Sequence, residues 1–150
     1  MNGLEHIAQT FTALHQQGRA ALMPYFTLGY PTLEESLAVV ESLARCGADL
    51  IELGVPFSDP LADGPTIQHS TQVALEQGMS VARCLEAVAQ LRARGMDQPL
   101  LLMGYINPIL AYGIERYVAA AAVAGVDGLI VPDLPWKNPR RWMQPAAPAG

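Results

Sequence analysis

The chain has 150 residues, 51% of them hydrophobic and 15% charged, which is enough for one buried core and argues against a disordered polymer. Its net charge of −5 lacks the electrostatic footprint of a binder of nucleic acid or anionic membranes, and no apolar run nears the ~20 residues of a membrane span. Only one of the nine basic residues is a lysine, Lys137 near the C-terminus, so the body of the chain has no amine for Schiff-base catalysis.

Leu4, Ile7, Ala8, Phe11 and Leu14 recur at helical spacing and predict a helix over 3–17 with one apolar face. Its early Glu5 is unlike the cationic start of a secretion signal, so a cytoplasmic location is expected. Ala21 to Thr27 reads as a short strand, closed by Gly29-Tyr30-Pro31. Thr32 caps the next helix, with Glu35 completing a capping box, and the helix runs to about Arg45 before Gly47. Asp49 to Leu53 is the second strand. After a long loop come a helix over Thr66 to Glu76 and another from the Ser80 cap to about Arg94. Leu100 to Met103 is the third strand, and Asn107-Pro108 beyond it is most simply a turn. A helix within Gly113 to Ala124 leads to the fourth strand, Asp127 to Val131. Cys46 and Cys84 read as buried thiols rather than a disulfide. His6, His15 and His69 lack ligand spacing and read as helix-surface residues, so no metal is expected.

Strands alternating with helices imply a parallel sheet with right-handed crossovers, and continuous apolar strands imply cover on both faces. Polar groups collect at or just past the strand C-terminal ends: Thr27, Glu52, Tyr105, Asn107 and Asp133. That end is the catalytic face of a (β/α)8 barrel and the ligand side of a doubly wound sheet. No Gly-x-Gly-x-x-Gly follows the first strand, which counts against a dinucleotide site.

The most informative stretch runs from Ala48 to Gln68. Glu52 lies in an apolar run, where an ionised carboxylate is costly unless it has a task or a partner. On a strand it shares a face with Leu50, opposite Ile51 and Leu53. It is either an acid–base group whose pKa burial would raise, or a glutamate held by a structural arginine or a helix N-terminus. Asp63, in a loop stiffened by Pro56, Pro60 and Pro65, admits a chemical role and an ordinary turn role equally. Asp59 before Pro60 reads as a turn-former, and Tyr105 as either a pocket wall or strand-end packing.

The run Ile51-Glu52-Leu53-Gly54-Val55-Pro56-Phe57-Ser58-Asp59-Pro60-Leu61-Ala62-Asp63-Gly64-Pro65-Thr66-Ile67-Gln68 resembles the hallmark segment of the tryptophan synthase alpha chain family. Residues 24–31, 103–108 and 131–135 resemble that family's first, third and fourth strand ends. The resemblance implies an α/β fold that is part of a (β/α)8 TIM barrel: four parallel strands with an N-terminal helix, the C-terminal half missing. It implies cleavage of indole-3-glycerol phosphate to indole and glyceraldehyde 3-phosphate, with Glu52 as proton-transfer group and Asp63 accepting the indole N–H. Tyr25, Thr27, Met103, Tyr105 and Ile130 would line the substrate pocket. The chain itself would need no cofactor; pyridoxal phosphate would belong to a partner, the tryptophan synthase beta chain, in an α2β2 heterotetramer. Pro56, Asp59, Asn107 and Pro135 would face that partner.

The likeness by motif covers residues 1–135. All fourteen acidic residues precede Trp136, whereas three of the nine basic residues follow it, and Pro139, Pro145 and Pro148 oppose a helix there. Residues 136–150 are therefore expected to be an aberrant, disordered tail, with a shifted reading frame or a gene remnant as its origin. The alternative to the lyase is a truncated, non-catalytic remnant without the phosphate site.

Overall fold

The computed structural model describes residues 2–134. The order is α1 (Gly3–Gln16), β1 (Tyr25–Thr27), α2 (Leu33–Arg45), β2 (Ile51–Gly54), α3 (Pro65–Glu76), α4 (Val81–Ala93), β3 (Leu100–Met103), α5 (Ile106–Tyr112), α6 (Ile114–Ala124) and β4 (Gly128–Ile130). The strands form one parallel sheet in the order β1-β2-β3-β4, so β1 and β4 are its edges.

One face of the sheet is covered by helices. Ile51, Leu53, Leu100 and Leu102 point into the core with Leu37 and Val40 of α2 and Val88 and Leu91 of α4, all essentially sealed from solvent. Each such aliphatic side chain contributes about 2 kcal/mol by leaving water. Helices α2, α4 and α6 pack side by side in this layer, whereas α3 packs on β1 and reaches Thr27 on the other face.

Two aspartates pin the strand starts. The Asp49 carboxylate accepts from Leu22 N–H at 2.8 Å and from both terminal nitrogens of Arg19 at 2.7 and 2.8 Å. Asp127 accepts from Leu100 N–H at 2.9 Å, lies 2.8 Å from His6 Nδ1 and pairs with Arg92. Arg92 also donates to the carbonyls of Met96, Gln98 and Gly125, closing the turns below β3 and β4.

Several expectations need correction. The first strand is three residues long, because Pro24 has no N–H to give the ladder, although its carbonyl still accepts from Glu52 N–H at 2.9 Å. Asn107-Pro108 lies in the first turn of α5, where a proline costs no intrahelical hydrogen bond. Thr32 caps α2 by accepting from Glu35 N–H, but the Glu35 carboxylate accepts from the Thr32 hydroxyl instead of the cap N–H, so the box is half formed. The full capping box is on α1, between Asn2 and Glu5. Helix α1 buries Leu14 and sets Ile7 beside Gly128, yet leaves Leu4 and Phe11 exposed. Cys84 is buried, but Cys46 is exposed at the end of α2. His15 and His69 lie on helix surfaces, whereas His6 is half-buried against Asp127. Pro135 and the tail 136–150 fall outside the described residues.

Asp127→Ala removes the acceptor for a strand N–H and leaves Arg92 without its carboxylate. The change should cost about 2–3 kcal/mol in urea unfolding, measured against the wild-type chain.

Candidate active site

The parallel register assembles the open face of the sheet. Tyr25, Glu52, Leu101 and Gly128 are successive Cα partners, and Thr27, Gly54, Met103 and Ile130 form the next row toward the strand C-termini. Residues two apart share a face, so both rows look away from the helical layer. Tyr25, Thr27, Glu52, Met103 and Ile130, each singled out from sequence, therefore stand on one surface. Gly54 matters here because a Cβ at that position would run into the Tyr25 hydroxyl; the tyrosine ring leans across β2 through that gap.

Glu52 is half-buried in this surface. Burial pushes its carboxyl pKa up, and the negative charge of Asp63 pushes it the same way. Among the described residues no arginine or lysine pairs with it. The Tyr25 hydroxyl is also raised: burial outweighs the lowering by its hydrogen bond with Thr27, and the charges of Asp63 and Glu52 add to it, so the three groups share one electrostatic neighbourhood.

Asp63 reaches that neighbourhood from the loop 55–64. Its N–H donates to the Pro60 carbonyl at 3.1 Å, a turn contact, while its side chain accepts from the Tyr105 hydroxyl at 3.0 Å. The backbone thus makes the turn and the carboxylate is left for the site. The Tyr105 oxygen accepts in return from Ala62 N–H at 2.9 Å, and its ring lies 5.5 Å from that of Phe57. Tyr105 is 4% exposed, and burial, with Asp63 and Asp133 adding, raises its pKa. It clamps the loop from inside. The next residue is held too: Ile106 N–H donates to Asp133 at 2.9 Å, joining the loops after β3 and β4.

Of the expected partner-facing residues, Asp59 and Asn107 are exposed, with Asp59 accepting from the Ser58 hydroxyl at 2.6 Å, whereas Pro56 is buried. Sequence reasoning missed Leu101, Phe57 and Ser70 near this site. Leu101 was available from its alternation with Met103. Ser70 hides among Ile67, Thr71 and Ala74, a helical face in which the hydroxyls break the apolar pattern. Among the described residues no group of three or more His, Cys, Asp or Glu is placed to hold a metal ion, and no helix is long and apolar enough to cross a membrane.

Two outcomes follow from these contacts. A raised Glu52 pKa means that the folded chain holds the proton more tightly than the unfolded chain. The stability this contributes is full below the ordinary carboxyl value of 4.5 and is lost as pH rises through the folded value. Glu52→Gln does not titrate, so its melting temperature should gain on wild type as pH rises above the ordinary carboxyl value of 4.5 and stop gaining once pH has passed the folded value. Tyr105→Phe removes the acceptor of Ala62 N–H; amide exchange at Ala62 should accelerate, with about 1 kcal/mol of stability lost.

Comparison with known proteins bears on this geometry. A family model described as tryptophan synthase alpha chain matches residues 11–150, a span that includes the compositionally distinct segment after Pro135. The tryptophan synthase alpha chain of Chloroflexus aggregans is 58% identical over 132 residues, 88% of this chain and 49% of that protein. The alpha chain of Gluconacetobacter diazotrophicus is 51% identical over 147 residues, 98% of this chain and 54% of that protein. The crystal structure of tryptophan synthase subunit alpha from Legionella pneumophila matches with a TM-score of 0.85 at 40% identity, over 90% of this chain and 50% of that one. The chain spans about half the length of the curated relatives it matches. Its four strands and the helices between them correspond to part of a TIM barrel, and the chain belongs to the tryptophan synthase alpha chain family.

Proposed function

We propose that this chain carries the acid–base half of a carbon–carbon lyase site that splits indole-3-glycerol phosphate into indole and glyceraldehyde 3-phosphate. The observation that carries the reading is Glu52: half-buried, without a basic partner among the described residues, raised by burial and by Asp63, and opening onto the face that holds Leu101, Met103 and Ile130. A carboxyl raised above its ordinary value holds its proton more tightly and is better placed to act as a general acid.

The reaction needs a proton at indole C3, so that the ring can take up the electrons of the breaking bond, and the removal of a proton from the adjacent side-chain hydroxyl. Glu52 is the proton-transfer group. Asp63, oriented by the Tyr105 hydroxyl, accepts the indole N–H and stabilises positive charge as it develops on the ring. Tyr25, Met103 and Ile130 flank the ring, with Thr27 and Tyr105 at the mouth. In this reading the protein works in the cytoplasm beside a pyridoxal-phosphate beta chain, which meets the exposed Asp59 and Asn107 around the same mouth.

A second reading, a non-catalytic remnant, draws on one observation. The edge strand β4 leaves Leu129 exposed, with Val118 of α6 exposed as well, where a barrel would continue. Indole release from indole-3-glycerol phosphate, with and without a beta chain, separates the two. The lyase reading expects turnover that falls about 10³-fold in Glu52→Gln. Equal rates in wild type and Glu52→Gln would refute the acid–base assignment. No turnover, together with an unchanged beta-chain rate, would establish the remnant.

A further inference from the structure

Three hydroxyl groups stand in line beside the cup, and the scheme above leaves one of them without a role. The Thr27 hydroxyl oxygen lies 2.8 Å from that of Ser70, and the Tyr25 hydroxyl lies 3.3 Å from Thr27. Ser70 in turn donates to the Ile67 carbonyl at 2.9 Å, within the first turns of α3. Thr27 is 3% exposed and Ser70 8%, so bulk water does not compete for these bonds.

A hydroxyl has a single proton to give. The Ile67 carbonyl can only accept, so the one arrangement in which all three contacts are hydrogen bonds has Ser70 donating to Ile67, Thr27 to Ser70 and Tyr25 to Thr27. The reverse direction would send the Tyr25 proton into the cup. Among the described residues, no acceptor there lies within hydrogen-bond distance of it, and Thr27 is its one partner. The carbonyl at the far end therefore sets the direction of the whole line.

We propose that Ser70 is a positioning residue: acting through Thr27, it turns the Tyr25 hydroxyl proton out of the cup and leaves the oxygen facing Glu52 and Asp63 as an acceptor. The place of that oxygen is fixed by the ring crossing β2 at Gly54, one row above Glu52. An oxygen presenting lone pairs beside Glu52 disfavours its charged form. It offers an acceptor to a protonated Glu52, or to an N–H or O–H of a bound ring. The groups facing Glu52 are Asp63 from the loop and Tyr25 from β1, with Tyr105 behind Asp63. The inference deepens the lyase reading, since keeping Glu52 protonated supplies the acid of the reaction, and it rests on that reading for its purpose.

The test is the carboxyl titration of Glu52, followed by carbon-13 NMR in the purified chain and assigned with Glu52→Gln. In Ser70→Ala the Thr27 proton loses its acceptor and turns to Tyr25, whose own proton swings into the cup. Thr27→Val removes the acceptor of Tyr25 directly. Both variants should lower the Glu52 midpoint by at least about half a pH unit. In a Tyr25→Phe background neither substitution should move it. A midpoint unmoved in either single variant, or a shift that persists without the Tyr25 hydroxyl, would overturn the proposal. No readout here depends on turnover, so failure to release indole would sink the lyase reading and leave the hydroxyl assignment standing.

Discussion

The site depends on the register of a parallel sheet, and the register is held from below by two carboxylates. Asp49 receives the N–H of a residue 27 positions earlier, Leu22; Asp127 receives that of Leu100, also 27 positions earlier. Each aspartate also has its own arginine, Arg19 or Arg92. One pair fixes β2 against the approach to β1, and the other fixes β4 against β3. Because side chains alternate along a strand, a slip of one residue would carry Glu52 to the helical side and bring Leu53 out in its place. The chemistry at the top of the sheet is thus set by ion pairs at the bottom that touch no part of the site.

The two ends of the sheet treat charge in opposite ways. At the lower end Asp49 and Asp127 each have a cation and a backbone donor; Arg19 and the Leu22 N–H hold Asp49 below the usual carboxylate range. At the upper end Glu52 has an apolar surround and a like-charged neighbour, which favours the neutral form. The second arrangement costs stability at neutral pH, and carboxylates so placed cluster at functional sites. That contrast within one small sheet separates structural from chemical carboxylates better than burial alone. Asp127, as half-buried as Glu52, is paired with Arg92 and bonded to the Leu100 N–H and has a plain structural occupation.

Much of this was legible in the sequence. Apolar runs and caps located the four strands, and the polar residues at their C-terminal ends named most of the groups that the register later brings together. What escaped has physical causes. Pro24 shortened β1 by withholding a donor, an effect that hydrophobic pattern does not contain. Helix α5 was hidden because Asn-Pro is read as a turn, although proline fits the first turn of a helix. The apolar stripe on α1 predicted burial, yet Leu4 and Phe11 find no cover among the described residues. Ser70 went unseen because a hydroxyl on a helix face has meaning only through the strand opposite. His6 read as a surface residue because its partner Asp127 is 121 positions away.

The loops above the sheet follow from the same logic of distant partners. Pro56 and Pro60 restrict the loop 55–64 and Pro65 opens the helix after it, but stiffness alone does not say where the loop's carboxylate goes. Tyr105 decides that, by accepting from Ala62 N–H and donating to Asp63 with one oxygen atom. Its position is decided in turn by the Ile106 N–H, which Asp133 receives across another gap of 27 residues. The loops after β2, β3 and β4 are therefore joined by two adjacent residues, 105 and 106. A displacement of the β4 loop cannot leave Asp63 unaffected, since the only polar ties between them run through that dipeptide among the described residues. The placement of Asp63 relative to Glu52 is a property of three loops acting together, and the burial of Tyr105 makes that property rigid.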